Sequence, residues 1–161
     1  MTTPDPNAPL LDETAFDQNL NIRILRLASS LSTLFQRSTL RKKNVTIQEY
    51  RILVSIARHG GGHVRALSRK ASMDPAHASR TMKAMHEKGW LTRNPDRNDK
   101  RLAIFTMTQA GQSLFMSIFP AADALAKELS DLFSDDEARQ LRDMLDRARE
   151  HAAALLDATE N

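Results

Sequence analysis

Residues 74–108, DPAHASRTMKAMHEKGWLTRNPDRNDKRLAIFTMT, leave few ways for the chain to fold. Asp74 has the side chain to accept from an unpaired first-turn amide, and Pro75 behind it fits the first helical position, where a missing N–H costs nothing. Gly89 marks the end of that helix, since glycine tolerates the left-handed residue after a last turn. Between them Ala78, Met82 and Met85 fall at i, i+4, i+7, a narrow inward stripe. Ala76, His77, Ser79, Arg80, Lys83 and His86 are left for other faces. Residues 90–93 and 102–106 read as antiparallel strands, and 94–101 as a polar turn rich in Pro, Asp and Asn. A capped helix running straight into a hairpin with a charged tip is the framework for the rest.

The flanking sequence is helical. Residues 1–13 carry three prolines and no periodicity and are expected to be a disordered tail. A helix is predicted over 15–43, with Leu20, Ile24, Leu27, Leu31 and Leu34 as one apolar stripe and Arg41, Lys42 and Lys43 suiting its negative C-terminal end. Thr46 and Glu49 form a capping box that opens a second helix through residue 58, which Gly60, Gly61 and Gly62 end. A short helix over 64–71 follows, with Ser72 and Met73 as the turn. Thr108 caps a helix from residue 109 that Pro120 should kink or break. Ser134 and Glu137 make another capping box. Behind it, Ala138, Leu141, Leu145, Ala148, Ala152 and Leu155 keep heptad spacing.

The 161 residues suit one compact domain, or one drawn out to make a dimer, and an apolar content of 41% is enough for a core. With no cysteine, disulfides, thiolate metal sites and cysteine redox sensing are excluded. The N-terminus has no secretory pattern, and no apolar run approaches the roughly 18 residues that span a bilayer, so a soluble cytoplasmic protein is expected. Neither a Gly-rich phosphate loop nor a nucleophile elbow is present, so no enzyme is expected. His59 and His63 flank the three glycines, but no cysteine or nearby acid completes a tetrahedral set; neither metal nor cofactor is expected.

Charge is unevenly placed. Residues 41–101 hold 15 Lys/Arg against 5 Asp/Glu, while the remainder holds 8 against 15, for a net charge of only +3. A basic segment in an otherwise acidic chain suggests a polyanionic partner. Three short helices and a hairpin have the layout of a winged helix-turn-helix. The fold class is therefore mainly α with a small β-hairpin wing (α+β), a DNA-binding lobe over 45–107 and a helical dimerisation lobe over 14–44 and 108–158. The first and last helices carry more apolar surface than a domain of about 60 residues covers, hence the intersubunit role.

In such a motif the N-terminal half of the second helix lies nearest the bases. His77, Ser79 and Arg80 can donate to phosphates or base edges, Ala76 can touch a thymine methyl, and Lys83 suits a phosphate. At the hairpin turn, Arg97, Lys100 and Arg101 form a thin basic prong suited to a minor groove, where negative potential concentrates. Asp99, two residues before Arg101, is placed to orient its guanidinium.

At residues 74–91 and 96–111, DPAHASRTMKAMHEKGWL and DRNDKRLAIFTMTQAG, the chain resembles the MarR family of winged-helix transcription regulators. The second stretch is similar to the family's wing signature of Asp-x-Arg, an apolar strand, then Leu-Thr-x-x-Gly, with Met107 in place of the usual Leu. The resemblance covers about 15–157. It implies that Arg101 is the minor-groove arginine with Asp99 its partner, and that Ser79 and Arg80 are recognition-helix contacts; Arg97 and Lys83 match charged positions less firmly. It further implies a cytoplasmic homodimer built from the first, fifth and sixth helices, a pseudo-palindromic double-stranded DNA operator, and a repressor released by a small aromatic or phenolic ligand. No residue identifies an effector. The competing expectation is a winged-helix protein-interaction module without operator binding.

Overall fold

The computed structural model describes residues 18–96, 99 and 101–159, so the expected tail, the start of the first helix, and Arg97 and Lys100 lie outside the described residues. Among the described residues, six α-helices and three strands follow in the order α1 (Leu20–Ser38), α2 (Ile47–His59), β1 (Gly62–His63), α3 (Val64–Lys70), α4 (Pro75–Glu87), β2 (Leu91–Pro95), β3 (Ala103–Met107), α5 (Gln109–Ser130) and α6 (Asp135–Thr159). The chain divides into two units, Met1–Ile118 and Phe119–Asn161, with the break inside α5. No described helix is long and apolar enough to cross a membrane.

The core of the first unit is assembled from Ile52, Leu53 and Ile56 of α2, Leu67 of α3, Ala71 behind it, Ala78, Met82 and Met85 of α4, Leu91 of β2 and Phe105 of β3. Each fully buried large side chain among them is worth about 1.5–3 kcal/mol of transfer free energy. Leu114 and Phe115, from the first turns of α5, pack against this cluster. The predicted stripe of α4 is wholly inaccessible to solvent.

The expected ends of α4 are made as the sequence dictates. The Asp74 carboxylate accepts from the His77 amide at 2.8 Å, with Pro75 in the first turn. At the other end Gly89 adopts φ +73°, its N–H reaches the His86 carbonyl, and the Trp90 N–H reaches that of Met85. These two bonds are a Schellman closure, and they take Trp90 out of the strand that follows. The capping box at Thr46 and Glu49 has both of its bonds, at 3.2 and 2.8 Å.

Three expectations are corrected. The first helix does not reach residue 43: α1 stops at Ser38, and Leu40–Lys43 is a 3₁₀ turn ended by Asn44 in the left-handed region. Burial drives the change, because Leu40 and Val45 are both sealed, with a Val45-to-Leu40 backbone bond, and a straight helix would not turn both inward. Nor is the sheet a two-stranded hairpin. β1 joins it in the order β1-β3-β2, all antiparallel, pairing Gly62 with Phe105 and His63 with Ile104. Finally, of the kink or break expected at Pro120, the break is not made: α5 continues through it as one helix. The carbonyl that loses its helical donor there, on Met116, belongs to an exposed residue that water can reach.

In the second unit, α6 begins at its own box: the Ser134 N–H and Oγ–H both donate to the Glu137 carboxylate, at 2.9 and 2.7 Å, and the Glu137 N–H returns to Ser134 Oγ at 3.4 Å. Along the heptad row Ala138 is buried and Leu141 half-buried, whereas Leu145 and Leu155 are exposed.

Candidate nucleic-acid interface

Helical geometry fixes what α4 shows to solvent. With 100° between residues, Ala76, Arg80 and Lys83 lie opposite the buried Ala78, Met82 and Met85, while Ser79 and His77 flank that row on either side. All five candidate residues are exposed, so burial on one face and polarity on the other come from one stripe. The first turn needs no further donor for Asp74, and Thr81 Oγ1 folds back on the His77 carbonyl at 3.0 Å.

The turn before α4 is held from a distance. Ser72 takes φ +50°, and its carbonyl accepts from Arg51 Nη2 of α2 at 2.6 Å. A residue of this kind in the left-handed region is disfavoured, and a charge-assisted bond to its carbonyl offsets part of that cost. At the far end of α4, Lys88 Nζ lies 2.7 Å from Glu49 Oε1 and 4.5 Å from the centroid of the Trp90 ring. Glu49 thus caps α2 with one oxygen and anchors α4 with the other, from a side chain only 6% exposed. Sequence reasoning found its capping role and missed the anchor. Capping uses one carboxylate oxygen and leaves the other unassigned, but nothing in the spacing pairs it with Lys88, 39 positions on.

The wing is joined to α4 by the Thr-x-x-Gly step. Thr108 Oγ1 donates to the Gly89 carbonyl at 2.7 Å and accepts from the Gly111 amide at 3.0 Å, and the Thr108 N–H bonds to the Trp90 carbonyl. A Cβ on Gly111 would run into the Trp90 carbonyl, so the helix can approach the α4 closure only with glycine there. Thr92 and Thr106, paired across β2 and β3, share a 2.6 Å hydroxyl bond.

At the wing tip Asp99 and Arg101 are both exposed. The described contact between them differs from the expected one: Asp99 Oδ1 accepts from the backbone N–H of Arg101 at 2.9 Å and fixes the main chain, not the guanidinium. Both residues lie in the turn and not on a strand face, which is why the side chains do not align as expected. The Asp99 N–H donates to Asp96 Oδ1, and its carbonyl accepts from Leu102. Asp96 in turn faces His63 of β1, with Nε2 to Oδ2 at 3.0 Å.

The same contact turns His63 away from His59 and the glycines. His63 is turned toward the wing, and no group of three potential metal ligands gathers among the described residues. His59 is held below its ordinary pKa by desolvation, then by the neighbouring positive charges of Lys70 and Arg58. In the same unit, Tyr50 meets Phe35 edge-on at 5.0 Å and stacks on Phe115 at 6.3 Å, and burial pushes its hydroxyl pKa up.

Comparison with known proteins agrees with this arrangement. The sequence profile of the MarR family matches residues 45–102, the span from the turn before α2 to the wing. Over 116 residues, 70% of this chain and 78% of the relative, the sequence is 30% identical to the HTH-type transcriptional regulator BilQ of Clostridium symbiosum. A MarR/EmrR family transcriptional regulator from Acinetobacter sp. ADP1 superposes with a TM-score of 0.79 at 26% identity, over 86% of this chain and 98% of that one. NadR, solved in complex with 4-hydroxyphenylacetate, has the same fold at 21% identity, with a TM-score of 0.73 over 92% of this chain and 98% of its own. The chain belongs to the MarR family of DNA-binding transcription regulators.

Proposed function

We propose that the chain works as a homodimeric repressor that reads a pseudo-palindromic operator and is released by a small aromatic or phenolic effector. In this reading residues 45–107 form the DNA-binding lobe, and 14–44 with 108–158 form the dimerisation lobe. Each protomer lays α4 in a major groove, with Ala76, His77, Ser79 and Arg80 nearest the bases and Lys83 on a phosphate. The wing enters the adjacent minor groove through Arg101, with Arg97 and Lys100 as its further cations and Asp99 holding the Arg101 backbone.

The observation that carries the reading is the exposed row on α4 in the same unit as a cationic wing, both locked to one core. Exposed apolar side chains on α1 and α6 support the dimer, each helix offering a face for a second copy. The effector class rests on a fold shared with a protein solved with 4-hydroxyphenylacetate.

The test is duplex selected from random DNA by the wild-type protein, then binding by Arg101→Ala measured by fluorescence anisotropy. The expected loss is about 10–100-fold, at unchanged oligomeric state and melting temperature. Wild-type affinity should fall roughly 10³–10⁵-fold between 50 and 200 mM salt if six to ten phosphates are contacted. A folded Arg101→Ala protein with full affinity removes the wing from the mechanism. Failure of the wild type to select any duplex favours a protein-interaction module.

A further inference from the structure

His63 stands at the N-cap position of α3 and makes no capping bond there. A side chain at that position ordinarily satisfies one of the orphan amides of the first turn, a contribution of about 1 kcal/mol. Here the imidazole is turned the other way, and both of its nitrogens face acceptors of the wing. Nδ1 lies 3.3 Å from the Ala103 carbonyl, on the first residue of β3, and Nε2 lies 3.0 Å from Asp96 Oδ2, on the residue just past β2. The Asp96 side chain is only 14% exposed and that of His63 35%, so the carboxylate end of the contact is shielded at the base of the wing turn.

From that point the bonds run on toward the tip. Asp96 Oδ1 accepts from the Asp99 N–H at 3.2 Å, and Asp99 Oδ1 accepts from the Arg101 N–H at 2.9 Å. The turn is closed on itself by the Asp96 N–H to the Leu102 carbonyl and by the Leu102 N–H to the Asp99 carbonyl, both at 2.9 Å. Two carboxylates thus link an imidazole at the edge of the sheet to the backbone of the wing arginine. The strand that carries His63 is two residues long, so its pairing with β3 alone gives little purchase on the wing.

We propose that His63 is a positioning residue for DNA binding: it fixes the wing turn through Asp96 and Asp99 so that Arg101 is presented in one orientation, without touching DNA itself. This rests on the reading in which the wing contacts the operator. It adds a residue of β1, well outside the turn, to the set that determines operator affinity. Pre-ordering the wing lowers the cost of immobilising it on the duplex.

The experiment is a double-mutant cycle in the full chain, on a duplex selected by the wild type, with anisotropy and thermal melting in parallel. His63→Phe keeps a ring of similar size and removes both ring nitrogens; His63→Leu serves where phenylalanine does not fold. The expected loss of affinity is about 3–10-fold, the range for one positioning hydrogen-bond system. His63→Gln, which can still donate to Asp96, should recover most of it. In an Arg101→Ala background, His63→Phe should cost nothing further, because there is no arginine left to position. Full additivity of the two substitutions overturns the proposal, as does a folded His63→Phe protein that binds like the wild type. A wild type that selects no duplex would bring down the operator reading itself, and this inference with it. Binding that survives in the wild type but ignores His63 would bring down the inference alone.

Discussion

Met82 and Met85 of α4 are 0% exposed, whereas Leu27 of α1 and Leu145 and Leu155 of α6, set at equally regular helical spacing, are 45–56% exposed. Both patterns are amphipathic, and both predict a buried face. The difference is in what each has to pack against. α4 closes on α2, α3 and the sheet inside one unit, so its stripe is satisfied by the chain that carries it. The leucines of α1 and α6 remain in water in a single copy, and each is a side chain whose burial is worth about 1.5–3 kcal/mol. Periodicity therefore announces that a face will be covered without saying by what. The α4 stripe is complete in one copy, while these leucines of α1 and α6 are left without a cover in it.

The largest expected effect follows from that contrast. Leu145→Glu with Leu155→Glu should convert a dimer to a monomer in sedimentation velocity, with helix content retained. Operator affinity should then fall by about 10²–10⁴-fold, because two linked half-site contacts become one. The double variant remaining dimeric at full affinity would break the comparison, since those leucines would then be surface without a partner. A smaller change should come from within the sealed half. Lys88→Met removes the cation that holds Glu49 and leaves a buried carboxylate with only its capping amide. The expected cost is about 1 kcal/mol in chemical denaturation, the low end for breaking a charge-assisted bond because Lys88 is 36% exposed. Glu49→Gln, which keeps an acceptor for the Thr46 amide, should cost less than Glu49→Ala. Equal stabilities for all three variants would show that the α2–α4 tie contributes nothing.

What the sequence disclosed and what it withheld divide along the same line. Bonds that close within four residues were legible: Asp74 on the His77 amide, Thr46 with Glu49, Ser134 with Glu137, Gly89 at the end of α4. So was the α4 stripe, because burial on a helix repeats at a fixed interval. The ties that aim the candidate site were not. Glu49 meets Lys88 across 39 positions and His63 meets the Ala103 carbonyl across 40, distances at which spacing carries no signal. β1 was invisible for a related reason: a strand of Gly62 and His63 has no alternation to read, and only its register with β3 defines it. The end of α1 was overrun because Arg41, Lys42 and Lys43 look like a good helix terminus, while the burial of Leu40 and Val45 decides the turn.

The smallest effect separates two copies of one motif placed in the two contrasted regions. Thr46-x-x-Glu49 and Ser134-x-x-Glu137 are both capping boxes, but the Glu49 side chain is buried and shared with Lys88, whereas Glu137 is fully exposed. The Ser134 hydroxyl holds the Glu137 carboxyl below its ordinary pKa, followed by the Ser134 backbone N–H, against a small opposing push from desolvation. The sign follows from linkage. A carboxylate whose folded pKa is depressed stabilises the fold above its unfolded pKa, and that contribution is lost as pH falls through the folded value. Acidification below the usual glutamate range should therefore fray the start of α6 while the sealed α4 stripe holds. Amide exchange at the first turn of α6 reads this directly. Ser134→Ala should raise exchange there at neutral pH and weaken its acid dependence, because the hydroxyl, the larger cause of the Glu137 shift, is lost and only the Ser134 backbone N–H still holds the carboxylate. If acid instead loosened the start of α2 before that of α6, solvent access would not be what separates the two boxes. The contrast between the self-sealed α4 and the exposed faces of α1 and α6 would then fail at its most local point.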